Sequence, residues 1–235
     1  MSGSVDFIFS ITVLIMSVVV HEVSHGYAAY SLGDPTAKNE GRLTLNPLKH
    51  LDPFGSVLLP LILVLIRSPF IFGWARPVPY NPYNLSNQRW GPALVGAAGP
   101  ASNIFVAFIF GILGFLLPLT ASIREELWVK FVFGFLTRQI SLGVIGSNFV
   151  ESVYAIFLLI IFINLLLAFF NLVPIPPLDG SKVLFALIGR HWPELEYFME
   201  RWGFMVLIFF IFFLFRFIFP VILWAFRLIT GVGLF

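Results

Sequence analysis

Two histidines four residues apart, with a glutamate directly after the first, form the sequence His21-Glu22-Val23-Ser24-His25. Residues i and i+4 of a helix share one face, so His21 and His25 can present two imidazole nitrogens to one metal ion. In zinc hydrolases with this spacing, the glutamate beside the pair acts as the general base. The motif therefore predicts a site for one Zn²⁺ ion in which Glu22 is the catalytic residue.

The motif lies inside an apolar stretch that runs from about residue 5 to residue 30. Ionisable groups at membrane depth are costly, and those that occur there tend to be functional. This cost argues against a chance occurrence of the motif. The setting predicts zinc chemistry within a lipid bilayer.

The composition is that of an integral membrane protein. Hydrophobic residues make up 59% of the 235 residues and charged residues only 11%, whereas a soluble domain carries about 25% charged residues. The net charge of +2 gives no reason to expect a nucleic-acid partner, and the absence of cysteine excludes thiolate ligands. We predict an all-α polytopic membrane protein, with residues 1–235 forming a single domain in the bilayer that carries the zinc motif.

Apolar runs of about 20 residues predict about four to six transmembrane helices. The clearest spans cover residues 5–30, 94–119, 152–172 and 202–230. Residues 127–147 are predicted to form an interfacial helix. Residues 54–72 are interrupted by prolines and by Arg67, so this segment either enters and leaves on one side or crosses fully. Short membrane-associated strands are predicted near the site, at residues 42–46 and 73–81.

The distribution of basic residues predicts the orientation in the cell membrane. The chain before the first span has no Lys or Arg, whereas the segment after it contains Lys38, Arg42 and Lys49. Lys and Arg concentrate in cytoplasmic loops, which places the active site toward the cytoplasm. The segment 73–91 is also basic, and its placement in the cytoplasm would require residues 54–72 to be re-entrant.

A catalytic zinc usually has three protein ligands, so a third must come from outside the motif. The candidates are Asp179, Glu151, His50, Asp52 and His191. Asp179 is the best placed, because it follows a proline-rich break after a strong span, where an unwound backbone can aim a side chain at an ion. Asp179 could instead cap the helix that begins near Ser181. Asn103 and Asn171 could simply hydrogen-bond between helices.

The chain resembles the site-2 protease family of intramembrane zinc metalloproteases, most of all its compact bacterial and archaeal members without a PDZ domain. The resemblance is carried by three motifs, which are His21-Glu22-Val23-Ser24-His25, Gly99-Pro100-Ala101-Ser102-Asn103 and Asn171-Leu172-Val173-Pro174-Ile175-Pro176-Pro177-Leu178-Asp179-Gly180. It implies that His21, His25 and Asp179 are the zinc ligands and that Glu22 is the general base.

The same resemblance implies roles in substrate binding. Asn171 and Asn103 match asparagines that hold the substrate or the developing oxyanion. The segment 73–81 matches a strand-forming piece on the active-site side, where Trp74, Pro77 and Val78 would contact substrate, and this match favours a re-entrant 54–72.

The predicted activity is hydrolysis of peptide bonds in single-span membrane proteins, as in regulated intramembrane proteolysis. The alternative is a membrane zinc or ion transporter that uses the same His and Asp groups as an ion path. Glu22 distinguishes the two, because a transporter has no need of a carboxylate directly after the first histidine, whereas a hydrolase does.

Overall fold

The computed structural model describes residues 2–66, 73–137, 148–188 and 192–233, and within these ranges the fold is built from helices. They are α1 (Ser2–Ser31), α2 (Thr36–Asn39), α3 (Leu59–Leu65), α4 (Gly91–Leu116), α5 (Ala121–Leu136), α6 (Phe149–Asn171), α7 (Gly180–Ile188), α8 (Pro193–Phe209) and α9 (Phe215–Thr230). Short 3₁₀ and π turns lie at Pro47–Lys49, Pro53–Leu58, Pro82–Asn84 and Phe210–Leu214.

Four helical stretches in the described residues are long and apolar enough to cross a membrane, which is the lower end of the predicted range. They are Ile8–Ser31, Gly91–Leu116, Phe149–Asn171 and Pro193–Thr230. The last begins earlier than the predicted start at residue 202, because α8 continues through a π turn into α9 without a break. Many large apolar side chains on these helices are exposed, as expected of surfaces that face lipid. The protein is a multi-pass membrane protein.

Helix α4 packs between α1 and α6 at the centre of the bundle. Its buried face consists mostly of small residues, which include Gly99, Ala107, Gly111 and Gly114, and it also carries Asn103. Small residues allow helix backbones to approach closely within a membrane. These small residues therefore let the face of α4 that carries Gly99 and Asn103 pack closely against α1 and α6.

A cluster of aromatic side chains packs against α6 on the side away from α4. Phe131 of α5, Phe162 of α6 and Phe226 of α9 are almost completely buried. Their ring centroids lie 5.5 to 5.7 Å apart in tilted and edge-to-face arrangements, which are the geometries that aromatic pairs prefer. This cluster fixes α6 between the core and α4.

Two buried charged residues fasten the loops that follow α1. The Asp34 carboxylate accepts hydrogen bonds from the Thr36 hydroxyl, from the Asn81 backbone N–H at 2.7 Å and from the Asn84 amide at 2.8 Å. Burial alone would raise the pKa of the Asp34 carboxyl, but these hydrogen bonds outweigh it and lower the pKa below its usual value. The Arg42 guanidinium donates to the Arg76 carbonyl at 2.8 Å. Residues 76–84 are thereby held against the end of α1.

The residues that flank the predicted re-entrant segment 54–72 contact each other. Leu51 and Ala75 form an isolated antiparallel bridge, and the Arg76 N–H donates to the His50 carbonyl at 2.8 Å. No β-sheet occurs in the ranges that the structure describes, and residues 42–46 have no regular structure there, with a bend at Thr44. Part of each predicted segment, residues 67–72 of 54–72 and 138–147 of 127–147, lies outside the described residues.

Candidate metal centre

The side chains of His21 and His25 meet that of Asp179, which lies more than 150 residues later in the chain, beside the α1–α4 contact. The two imidazole Nε2 atoms of His21 and His25 lie 3.0 Å apart, and Asp179 Oδ2 lies 3.1 Å from each of them. Each of the three residues is at most 7% exposed. Within the described part of the chain, this is the one group of three His, Cys, Asp or Glu residues arranged to hold a metal ion.

The other ring nitrogen of each histidine fixes where the hydrogen lies. His25 Nδ1 is 2.6 Å from the Val95 carbonyl oxygen, and His21 Nδ1 is 2.6 Å from the side-chain oxygen of Asn103. Both partners are acceptors, so each Nδ1 carries a hydrogen and donates it. In the neutral form of each ring, Nε2 therefore carries the lone pair, which is the form that binds a metal.

The donor set fits a zinc ion. Two imidazole nitrogens and a carboxylate oxygen converge here, and these are the ligand atoms that zinc takes from His and Asp. The three atoms form a nearly equilateral triangle with sides of 3.0 to 3.1 Å. A tetrahedral zinc with bonds of about 2.0–2.1 Å has ligand atoms about 3.3 Å apart. The triangle therefore matches three ligands of a catalytic site whose fourth position is open.

Gly99 of α4 leaves the space in which an ion can lie. A Cβ atom at this position would come within 2.5 Å of His25 Nε2 and 2.6 Å of His21 Nε2. Gly99 and Asn103 are four residues apart on α4, so the same helix face provides both the space and the acceptor for His21.

We expect the Gly99→Ala variant to bind zinc at least ~10-fold more weakly, because its methyl group would press on both nitrogen ligands. Loss of a hydrogen bond to a metal-binding histidine already costs about that much. The measurement is zinc content of the purified protein after equilibration with graded chelator. Gly114→Ala in the same helix is the matched control, since its Cβ would meet only Tyr154 ring carbons, at 3.2 and 3.6 Å. Wild-type zinc binding by Gly99→Ala would contradict the placement of the ion.

Asp179 reaches the histidines from the loop between α6 and α7. Prolines at 174, 176 and 177 prevent α6 from continuing past Asn171. The second carboxylate oxygen of Asp179, Oδ1, accepts a hydrogen bond from Lys182 Nζ at 2.9 Å. Because Lys182 binds Oδ1, only Oδ2 of Asp179 faces the histidines. Sequence reasoning missed Lys182, although its i+3 spacing from Asp179 at the start of a helix was a usable signal.

Glu22 contacts the extended segment that follows residue 73. Its Oε2 accepts a hydrogen bond from the Val78 backbone N–H at 2.8 Å. Gly26, one turn further along α1, makes room for this approach, since a Cβ there would lie 2.9 Å from a Val78 methyl group and 2.6 Å from Leu43. A backbone donor leaves no mark in the sequence, so this partner of Glu22 could not be foreseen.

The structure places the predicted substrate-binding residues in different environments. Asn103 is fully buried, with its amide engaged by other side chains, whereas Asn171 ends α6 and donates to the Leu167 carbonyl at 2.9 Å. Trp74 is 44% exposed and Val78 is buried. Pro77 is exposed beside Val78. These environments do not show whether any of the five side chains contacts substrate, so the substrate-binding assignments stay predictions.

The remaining candidates for a third ligand are engaged elsewhere. His50 Nε2 donates to the Thr44 carbonyl at 2.8 Å, and Asp52 accepts from the Gly55 N–H. Glu151 lies at the start of α6 beside Asn148. His191 lies outside the described residues.

Comparison with known proteins decides the family. The model of peptidase family M50 matches residues 9–214. The chain belongs to peptidase family M50. A Bacillus subtilis protein named "Putative zinc metalloprotease YwhC" is 40% identical over 180 residues, which cover 77% of this chain and 69% of the relative.

More distant relatives carry the same description. The Rip2 protein of Mycolicibacterium smegmatis is 26% identical over 202 residues, which cover 86% of this chain and 66% of the relative. The MJ0611 protein of Methanocaldococcus jannaschii is 28% identical over 183 residues, covering 75% and 72%. The chain spans about two thirds of the length of these M50 relatives. No solved structure shows a significant match.

Membership of the M50 family makes the protein a zinc metalloprotease, and it confirms the predicted resemblance to the site-2 protease family. The zinc cofactor agrees with the convergence of His21, His25 and Asp179. The match favours this activity over the alternative of a membrane zinc or ion transporter.

Proposed function

We propose that this chain hydrolyses peptide bonds of transmembrane proteins within the bilayer, with Glu22 as the general base and His21, His25 and Asp179 as the zinc ligands. The observation that carries the proposal is the convergence of three metal-ligand atoms, at 3.0 to 3.1 Å, beside a glutamate on a helix that is apolar enough to span a membrane. A zinc ion bound there would polarise the scissile carbonyl and bring the pKa of a bound water toward about 7.

The chain's own residues would then move the proton. Glu22 takes a proton from the attacking water while the water oxygen bonds to the scissile carbonyl carbon. Glu22 then gives that proton to the amide nitrogen as the C–N bond breaks. The Val78 N–H at 2.8 Å orients the carboxylate for this exchange. Asn171 ends α6 eight residues before Asp179, and its side-chain amide is the donor that we assign to the developing oxyanion.

A helical substrate hides its peptide bonds in its own hydrogen bonds, so the segment to be cut must unwind. We assign the capture of the unwound segment to residues 73–81, with contacts from Trp74, Pro77 and Val78. The N–H groups of Trp74, Arg76 and Val78 all bond within this protein, which holds the segment in an extended form beside Glu22. The bridge between Leu51 and Ala75 supports a re-entrant segment between them, since both ends lie on one side.

We propose that the active site faces the cytoplasm. The loops at the C-terminal end of α1 and the N-terminal end of α4 lie together and carry the basic residues Lys38, Arg42, Lys49, Arg76 and Arg89. Basic residues concentrate on the cytoplasmic side of membrane proteins.

The test is cleavage of single-span membrane proteins by the purified chain in reconstituted vesicles. We expect cleavage inside the substrate's apolar segment, its loss after a zinc chelator, and its recovery on adding zinc back. Cuts confined to residues outside the membrane, or cleavage that persists without zinc, would overturn the proposal.

A further inference from the structure

A chain of buried polar side chains leads from His21 into the apolar interior. The side-chain amide of Asn103 bonds to His21 on one side and to Asn164 of α6 on the other, at 2.6 and 2.8 Å. The Asn164 amide in turn bonds to the Ser17 hydroxyl at 2.9 Å. Asn103 and Asn164 have no exposed surface, and Ser17 is 6% exposed. Polar side chains are expensive at this depth, so a role beyond packing is expected.

Two backbone carbonyls determine how the side-chain amides of Asn103 and Asn164 are oriented. The Ile160 carbonyl can only accept, so the Asn164 atom 2.8 Å from it is the amide nitrogen. The Asn164 oxygen then faces Asn103. The Ser17 carbonyl, 3.3 Å from Asn103, can likewise only accept. Both neighbours therefore require the amide nitrogen of Asn103 on their side, and its oxygen is left for His21 Nδ1.

We propose that Asn164 and Ser17 are positioning residues for zinc, which act through Asn103 to hold His21 with its hydrogen on Nδ1 and its lone pair on Nε2. If Asn103 turned over, its NH₂ group would face His21 Nδ1, and the favoured hydrogen would move to Nε2, where it blocks the metal. This inference rests on the proposed ligand set. It adds α6 to the helices that define the metal centre.

The first test is zinc affinity of folded, purified protein, measured by competition with a chelator, together with the visible spectrum of the Co²⁺-loaded protein. We expect Asn164→Leu and Ser17→Ala to bind zinc about 10-fold more weakly, the low end of losses for second-shell partners, with an altered Co²⁺ spectrum. Ser17→Thr keeps the hydroxyl and should bind like wild type. Thr230→Val is the matched control, because Thr230 is buried but bonds only within its own helix.

A second test separates orientation from packing. In an Asn103→Asp background, either carboxylate oxygen can accept from His21 Nδ1, so there is no amide left to orient. We expect Asn164→Leu to lose most of its effect on zinc affinity in that background, a coupling that a double-mutant cycle measures.

Undiminished zinc affinity in both Asn164→Leu and Ser17→Ala would overturn the inference, as would an equal loss in the two Asn103 backgrounds. Failure of the proposed function would look different, because cleavage by the wild-type protein would then be absent or fall outside the membrane while its zinc affinity still responded to these variants.

Discussion

The Glu22→Gln variant is expected to lose cleavage of a reconstituted single-span substrate by about 10²- to 10⁴-fold, the range that general acid–base catalysis contributes, while keeping a full complement of zinc. Glutamine has nearly the same shape as glutamate but cannot take the proton of the attacking water. Its side-chain oxygen can still accept the hydrogen bond that the Val78 N–H gives to Glu22 at 2.8 Å. The extended segment at Val78 should therefore stay in place, which isolates proton transfer as the function lost.

Glu126→Gln is the control for loss of a carboxylate. Glu126 lies on α5, is largely exposed and pairs with Lys130, and exposed pairs of this kind contribute little to stability. That variant should cleave at the wild-type rate. A Glu22→Gln protein that cleaves as fast as wild type would eliminate Glu22 as the base.

The second large effect is expected at Asp179. Its replacement by alanine removes one of three converging acceptors, and we expect zinc affinity to fall by more than ~100-fold, since losing a second-shell partner alone costs about 10- to 100-fold. Lys182 would also lose its partner at 2.9 Å and leave a positive charge beside the remaining histidines, which adds to the loss. Metal analysis of the purified protein measures the effect.

Glu151→Ala is the informative companion, because Glu151 was an alternative third ligand and lies at the opposite end of α6 from Asn171. This variant should retain zinc. Full zinc occupancy in Asp179→Ala together with loss in Glu151→Ala would transfer the ligand to Glu151.

The helical membrane character and the sequence motifs could be predicted because they depend on local properties. Apolar runs of sufficient length identify spans whatever their neighbours are, and His21 and His25 share a helix face by periodicity alone. The continuous helix from Pro193 to Thr230 could not be predicted, because the charged first turns of α8 look like a separate amphipathic piece. The bridge between Leu51 and Ala75 depends on a tertiary contact that no periodicity records.

Some parts of the metal centre could likewise be predicted from the sequence, whereas others depend on tertiary contacts. Asp179 could be nominated because prolines mark an unwound segment before it. The Val95 carbonyl on His25 and the Val78 N–H on Glu22 are backbone groups, which every residue has, and their use depends on helix packing. Asn164 was visible as a polar residue within an apolar span, but its link to His21 through Asn103 required the fold.

The central claim is that one zinc ion is held jointly by α1 and by the loop after α6. X-ray absorption spectroscopy at the zinc edge of the wild-type protein tests it most directly. We predict one zinc per chain with two imidazole nitrogens and carboxylate or water oxygens at about 2.0–2.2 Å, and loss of this signal in Asp179→Ala. A zinc shell with three or more imidazoles, or the same shell persisting in Asp179→Ala, would contradict it.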